Sequence, residues 1–318
     1  LSACLSLHRI GDRAFRSCEA LHTVAFPAHL EELGAGAFSR CPKLVAVDLS
    51  ICVSLRRICD ETFALCGSLE SVQWPAGLEE FGRVTLPRIY CHGVLSNCDA
   101  VVAIDLSACL SLRRIGPGAF GSCTALETVR WPPNLEELDR CVLSGCEKLM
   151  AVDISACLSL RRIGTSAFSA CSALRTVVLP PGLQELGRDD NRVTSFGVLA
   201  RCPAILAIDL SACVSLRVIG GYVFSSCEAL QTVVWPPNLE EIDNGVLSEC
   251  PRLVTIDLSV CTSLRRVGDQ TFRGCKALEA VVFPLHLQDL GEQTLSECPR
   301  LMTIDLRACA SLRRIGRG

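Results

Sequence analysis

"LSACLSLRRIG", residues 106–116, decides the architecture because the chain writes it repeatedly. The same eleven positions return as "LSICVSLRRIC" from 49, "ISACLSLRRIG" from 154, "LSACVSLRVIG" from 210, "LSVCTSLRRVG" from 258 and "LRACASLRRIG" from 306, with "LSACLSLHRIG" opening the chain. A motif that recurs in this way marks a unit that cannot bury its apolar face alone and must stack on copies of itself.

The cysteines give the period. Cys18, Cys41, Cys66, Cys98, Cys123, Cys146, Cys171, Cys202, Cys227, Cys250, Cys275 and Cys298 are separated by 23 or 25 residues, with two exceptions of 32 and 31. Two unit types alternate. The shorter reads "CEALHTVAFPAHLEELGAGAFSR" from Cys18 and the longer "CPKLVAVDLSICVSLRRICDETFAL" from Cys41. Leu44, Val47, Leu49, Cys52, Leu55 and Ile58 spell L-x-x-L-x-L-x-x-C-x-x-L-x-x-I in the longer unit, and Leu21, Val24, Phe26, Leu30 and Leu33 follow the same frame in the shorter, with Pro27 just after the strand. A 20–29-residue period carrying L-x-x-L-x-L is the mark of a leucine-rich-repeat solenoid. The expectation is an α/β fold in one domain, 1–318: a curved right-handed coil with a parallel β-sheet on its concave face and short helical, 3-10 or irregular segments on the convex one. Strands are expected at about 44–49 and its equivalents, twelve of them from 21–26 to 301–306, stacked about 4.8 Å apart.

The short unit, with Cys-x-x-Leu-x-x-Val-x-Phe-Pro-x-x-Leu-x-x-Leu followed by Gly-x-x-Ala-Phe, resembles the BspA-like leucine-rich repeat of bacterial and protist surface and adhesion proteins. The longer unit, with Cys-Pro-x-Leu and Asp-Leu-Ser-x-Cys, is also similar to the cysteine-containing leucine-rich repeat of F-box substrate receptors. These resemblances imply a binding scaffold, and they imply different partners.

Composition narrows the classes. Of 318 residues, 49% are hydrophobic and 20% charged, which suits a chain with a large core and argues against disorder. A formal net charge of −3 offers no basic footprint for nucleic acid or anionic lipid. No run of about 18 uncharged apolar residues is present to span a bilayer. Of the 22 cysteines, the twelve above and Cys4, Cys52, Cys109, Cys157, Cys213, Cys261 and Cys309 occupy two inward columns, where free thiols serve as small core residues. That thiol load favours a reducing compartment. Cys59, Cys91 and Cys141 lie off the columns, and Cys91-His92 is the one place to test for a metal; no metal or cofactor is expected. Phe26, Trp74, Trp131, Leu179, Trp235 and Phe283 share an inward position and read as a packed stack.

Charge alternates from coil to coil. Glu31-Glu32, Glu79-Glu80, Glu136-Glu137, Gln184-Glu185, Glu240-Glu241 and Gln288-Asp289 of the short units stand where the long units carry Arg56-Arg57, Arg113-Arg114, Arg161-Arg162, Arg217, Arg265-Arg266 and Arg313-Arg314. Stacking then sets acid against base, and a one-coil slip would set like against like.

The candidate partner-binding residues lie at outward strand positions. The third x of L-x-x-L-x-L is Asp48, Asp105, Asp153, Asp209, Asp257 and Asp305 in the long units, interleaved with residues such as Arg130 and Val178 in the short ones, and the first x is apolar, as in Val102, Met150 and Leu206. Acids beside exposed apolar groups suit a protein or peptide partner with basic and apolar groups. A structural reading stands next to it: each Asp can cap the following Ser-x-Cys turn.

Insertions at 83–91 and 188–195 fall at the same point of the coil, after Gly82 and Gly187, and are candidate recognition loops. The chain begins and stops within a coil, so a longer natural protein or end-to-end self-association through uncapped coils is expected. His8, His22, His29, His92 and His286 form no repeated partnership with a nucleophile or carboxylate, and no phosphate-cradling glycine loop occurs, so no catalytic residue is expected. The functional expectation is a non-catalytic interaction scaffold, the alternatives being a cell-surface adhesin of the BspA-like kind or the substrate-receptor part of a larger ubiquitin-ligase or enzyme-bearing chain.

Overall fold

In the computed structural model the described residues are 4, 6–83, 92–188 and 196–318. They form two compact units, residues 1–150 with 157–160 and residues 151–156 with 161–318. Both units are stacks of parallel two-stranded coils.

Each coil contributes one strand from its Leu-x-Leu segment and one from its charged pair. All twelve expected Leu-x-Leu segments contain a strand, from Thr23–Val24 to Thr303–Asp305, but each holds at most three residues. These strands do not form one sheet. Thr23–Val24, Ala46–Asp48 and Ser71–Gln73 form one group and Ala103–Asp105 pairs with Thr128–Arg130, while the second unit has two pairs and a triple. Proline follows every short-unit strand, at Pro27, Pro75, Pro132, Pro180, Pro236 and Pro284, and offers no N–H to lengthen it, which keeps these strands short.

The longer ladders belong to the charged strands. In the first unit Arg9 pairs with Glu32, Glu32 with Arg57, Arg57 with Glu80, Glu80 with Arg114 and Arg114 with Glu137. In the second, the order Arg162, Glu185, Val218, Glu241, Arg266, Asp289, Arg314 continues strand by strand. The alternation of sign read from the sequence is therefore the register. Glu32 shows what it does: its carboxylate lies 3.1 Å from Arg9 and 3.0 Å from Arg57, the coils before and after it. Arg266 meets Glu241 at 2.8 Å in the second unit.

The third side of each coil differs from expectation. No helix occurs among the described residues; the segments expected to be helical, 3-10 or irregular are successive turns. Their N–H groups bond to the next coil instead of within the segment, as in Phe38 N to Thr62 O at 2.8 Å, Arg40 N to Ala64 O at 2.8 Å and Leu65 N to Ser96 O at 2.8 Å. The geometry requires left-handed residues at intervals, among them Arg40, Glu61 and Leu65 with φ of 60°, 56° and 61°. A helix needs its N–H groups for itself.

The core lies between these three sides. Phe38, Phe63, Phe120, Phe168, Phe224 and Phe272 are fully buried, and Phe38 stacks on Phe63 at 5.7 Å. Phe26, Trp74, Trp131, Leu179, Trp235 and Phe283 are all buried, as their column implied. The described cysteines are free thiols, and most lie inside. Cys4 is exposed and Cys18, Cys141 and Cys298 are half-buried, whereas Cys59, which the columns leave out, is buried. The column thiols do more than fill space: Cys66 Sγ donates to Phe38 O at 3.2 Å, Cys123 to Leu95 O at 3.1 Å and Cys250 to Phe224 O at 3.2 Å, each tying its coil to the one before.

Candidate functional site

The six aspartates end the Leu-x-Leu strands of the long units and point outward beside a tight turn. Ser50 N donates to Asp48 Oδ1 at 2.9 Å and Ser50 Oγ to the same oxygen at 2.6 Å. Asp105 with Ser107 and Asp153 with Ser155 repeat both bonds, and Asp209 and Asp257 accept the backbone bond from Ser211 and Ser259. The capping role is thus real. These bonds all go to Oδ1, and the side chains of Asp48, Asp153, Asp209 and Asp257 remain exposed. Asp105 Oδ2 stands 3.6 Å from Arg130 of the next coil, and Asp305 is closed by Arg307 at 2.9 Å.

The serine hydroxyl, then the serine N–H, hold the carboxyls of Asp48, Asp105, Asp153 and Asp209 below the usual aspartate range, and Arg307 holds Asp305 at about 2. A depressed carboxyl stabilises the fold above its unfolded value, 3.8 here, and that contribution is lost as pH falls through the lower folded value. The wild type should therefore lose more melting temperature between pH 5 and about pH 2.5 than the Asp48→Asn/Asp153→Asn/Asp209→Asn variant, whose amides keep an acceptor for serine without titrating. Equal losses in thermal melts would show that these turns do not feel the charge.

The apolar neighbours are as exposed as the sequence implied. Val102, Met150 and Leu206 are 47%, 53% and 55% exposed, and Val178 is 48% exposed. A second apolar row was not anticipated. Val53, Leu110, Leu158 and Val214, the residue between Cys and Ser of the long unit, are 49–65% exposed. They sit at the tips of very tight turns, as in Val53 N to Ile51 O at 2.9 Å and Leu110 N to Ala108 O at 3.0 Å, with the intervening cysteine turned inward. The signal was present in the opening motif as the recurrent Cys-Leu-Ser and Cys-Val-Ser, but only the turn geometry shows which side faces water. Arg130 is exposed and adds a positive group to the first unit's row.

Of the insertions, residues 84–91 and 189–195 lie outside the described residues, as does Cys91 of the proposed metal test. Among the described residues no three His, Cys, Asp or Glu side chains converge as a metal site would require. No helix among them is long and apolar enough to cross a membrane.

Stacked parallel coils with Leu-x-Leu strands, an inward cysteine at each turn and outward polar rows define a leucine-rich-repeat solenoid. The chain belongs to the BspA-type leucine-rich-repeat family, whose pattern matches residues 3–87, 91–190 and 197–318 in six copies. Among solved structures it is similar to a leucine-rich repeat protein from Bacteroides ovatus, with a TM-score of 0.75 and 24% identity over 99% of this chain and 76% of that one. A leucine-rich repeat protein from Eubacterium ventriosum is similar with a TM-score of 0.54 and 15% identity over 91% of this chain and 67% of that one. At these identities the likeness is one of fold. No curated protein matches the chain.

Proposed function

We propose that this chain is a non-catalytic scaffold that binds a protein or peptide partner on the outward face of its Leu-x-Leu strands. The observation that carries the reading is the construction of that face in the second unit. Asp153, Asp209 and Asp257 each commit Oδ1 to a serine turn and remain exposed, while Val178, Leu206, Val234, Val254 and Val282 beside them are 39–55% exposed. The turn fixes each carboxylate before any partner arrives, which reduces the ordering cost of binding. Apolar groups exposed in repeated rows contribute burial, and the charges select against acidic partners.

Selection of displayed random twelve-residue peptides against the immobilised protein tests this. Enriched peptides should combine Lys or Arg with apolar residues and should lose at least about tenfold in affinity, about 1.4 kcal/mol, toward the Asp153→Asn/Asp209→Asn/Asp257→Asn variant. Peptides that bind the folded variant as well as the wild type would place the binding face elsewhere.

A further inference from the structure

The spacing of the same face points to the conformation of its partner. Resting on the strand-face reading above, we propose that the second unit takes an extended left-handed polyproline-II segment with a basic residue at every third position. Paired strand by strand, Asp153 lies beside Val178, Asp209 beside Val234 and Asp257 beside Val282, so the row alternates carboxylate and valine from coil to coil. The row itself is interrupted between Val178 and Asp209 and between Val234 and Asp257; there the charged strands of the same coils, hydrogen-bonded in unbroken order from Arg162 to Arg314, hold the coils at strand spacing. At about 4.8 Å per strand, carboxylates two coils apart recur every ~9.6 Å.

Three regular conformations can be compared with that repeat. Polyproline II has three residues per turn and rises about 3.1 Å per residue, so every third side chain points the same way at ~9.3 Å intervals. The mismatch is about 0.3 Å per step, well within the reach of an arginine. A β-strand rises about 10 Å in three residues, but its side chains alternate faces and the third points away. An α-helix returns to the same face after two turns at about 10.8 Å and is out of step by more than 1 Å at each carboxylate. Only the first puts a base at every acid.

The remaining positions fit as well. Between the carboxylates, Val178, Val234 and Val282 are 48%, 48% and 39% exposed and offer flat apolar ground to the residues between the bases. Leu206 and Val254, interleaved with Arg175, Gln231 and Glu279, border the row on the side where the strand begins, and Val214 at a turn tip and Val260 just before the inward Cys261, 49% and 51% exposed, lie past the strand end. A polyproline-II segment has three faces: its basic face meets the aspartates and its other two lean on these borders. The first unit lacks this pattern. There the residues paired with Asp48 and Asp105 are Gln73 and Arg130, and Arg130 would repel a basic segment.

Fluorescence anisotropy with the whole 318-residue chain and labelled twelve-residue peptides tests the proposal. The peptide (Pro-Pro-Arg)4 should bind at least about tenfold tighter than a peptide of the same composition with its arginines in adjacent pairs, and tighter than (Gly-Gly-Arg)4, which keeps the spacing without the preformed helix. The Asp153→Asn/Asp209→Asn/Asp257→Asn variant should lose at least about tenfold for (Pro-Pro-Arg)4. Equal affinity for the paired-arginine peptide, with sensitivity to the aspartates retained, would overturn the polyproline-II assignment and leave the strand face as the binding site. Affinity for (Pro-Pro-Arg)4 unchanged by the triple substitution in a folded protein would overturn both. No binding of (Pro-Pro-Arg)4 at about 1 mM peptide would also overturn the assignment.

Discussion

Raising the pH above 9 is expected to unfold the protein in a steep transition driven by its buried thiols. Burial pushes the thiols of Cys66, Cys123, Cys227, Cys261 and Cys275 up to about 12 from an ordinary value of 9.0. Burial likewise raises the thiols of Cys98 and Cys250 well above that ordinary value. Unfolded, these thiols ionise from about pH 9; folded, they keep their protons. The stability they contribute is fully present below pH 9 and is lost as pH rises toward the folded values. Each thiol costs about 1.4 kcal/mol for every pH unit above 9. Several such thiols together oppose folding on the scale of the stability of an ordinary domain. Far-ultraviolet circular dichroism and thiolate absorbance should therefore change together, in one step, between about pH 9 and 10.5. The same protons protect the thiols at neutral pH: the exposed Cys4 and the half-buried Cys18 and Cys141 should be alkylated before the buried cysteines, and 22 thiols should appear after denaturation. A chain that keeps its native spectrum at about pH 11, or that yields far fewer thiols when denatured without reductant, would overturn the column of buried free cysteines.

A single added methyl at Gly220 should destabilise the second unit by about 3 kcal/mol, lowering its urea midpoint by roughly 1–3 M. Gly187, at φ +74°, leads into the residues that follow 188, and its carbonyl is turned toward the next coil, where Gly220 sits directly against it. A Cβ on Gly220 would occupy the space of the Gly187 carbonyl, so backbone must move, and Gly220 N already bonds to Leu186 O at 2.7 Å. Gly116 meets Gly82, at φ +78°, in the same way. Both close contacts occur where an inserted segment leaves the coil. Gly11 occupies the corresponding place in the first coil with nothing near its missing Cβ, so Gly11→Ala should change stability by no more than about 0.5 kcal/mol. Urea melts of the two variants side by side check the claim, and similar midpoints would show that the coils yield at no cost.

Much of this was legible in residue order. The cysteine spacing defines the coil, the column of Phe26, Trp74, Trp131, Leu179, Trp235 and Phe283 identifies an inward position, and the alternation of Arg-Arg with Glu-Glu specifies which strands pair. Each is a periodic signal, and a solenoid turns sequence period directly into spatial neighbourhood. The candidate row of aspartates was legible for the same reason, because every second coil repeats Asp-Leu-Ser or a close variant.

What the sequence alone determined is thus the repeat, its two inward thiol columns and the register of its charges, because each of these follows from which residue stands one coil above another. The tertiary structure alone decided three further matters. The turns that replace helices depend on left-handed φ at residues such as Arg40, Glu61 and Leu65, which no composition favours and which neighbouring coils hold in place through bonds to their N–H groups. The exposure of Val53, Leu110, Leu158 and Val214 depends on a turn so tight that the buried cysteine and its neighbour face opposite ways. The pairing of Asp105 and Asp305 depends on whether Arg130 or Arg307 reaches across, and that is a matter of distance between side chains that no order of residues states.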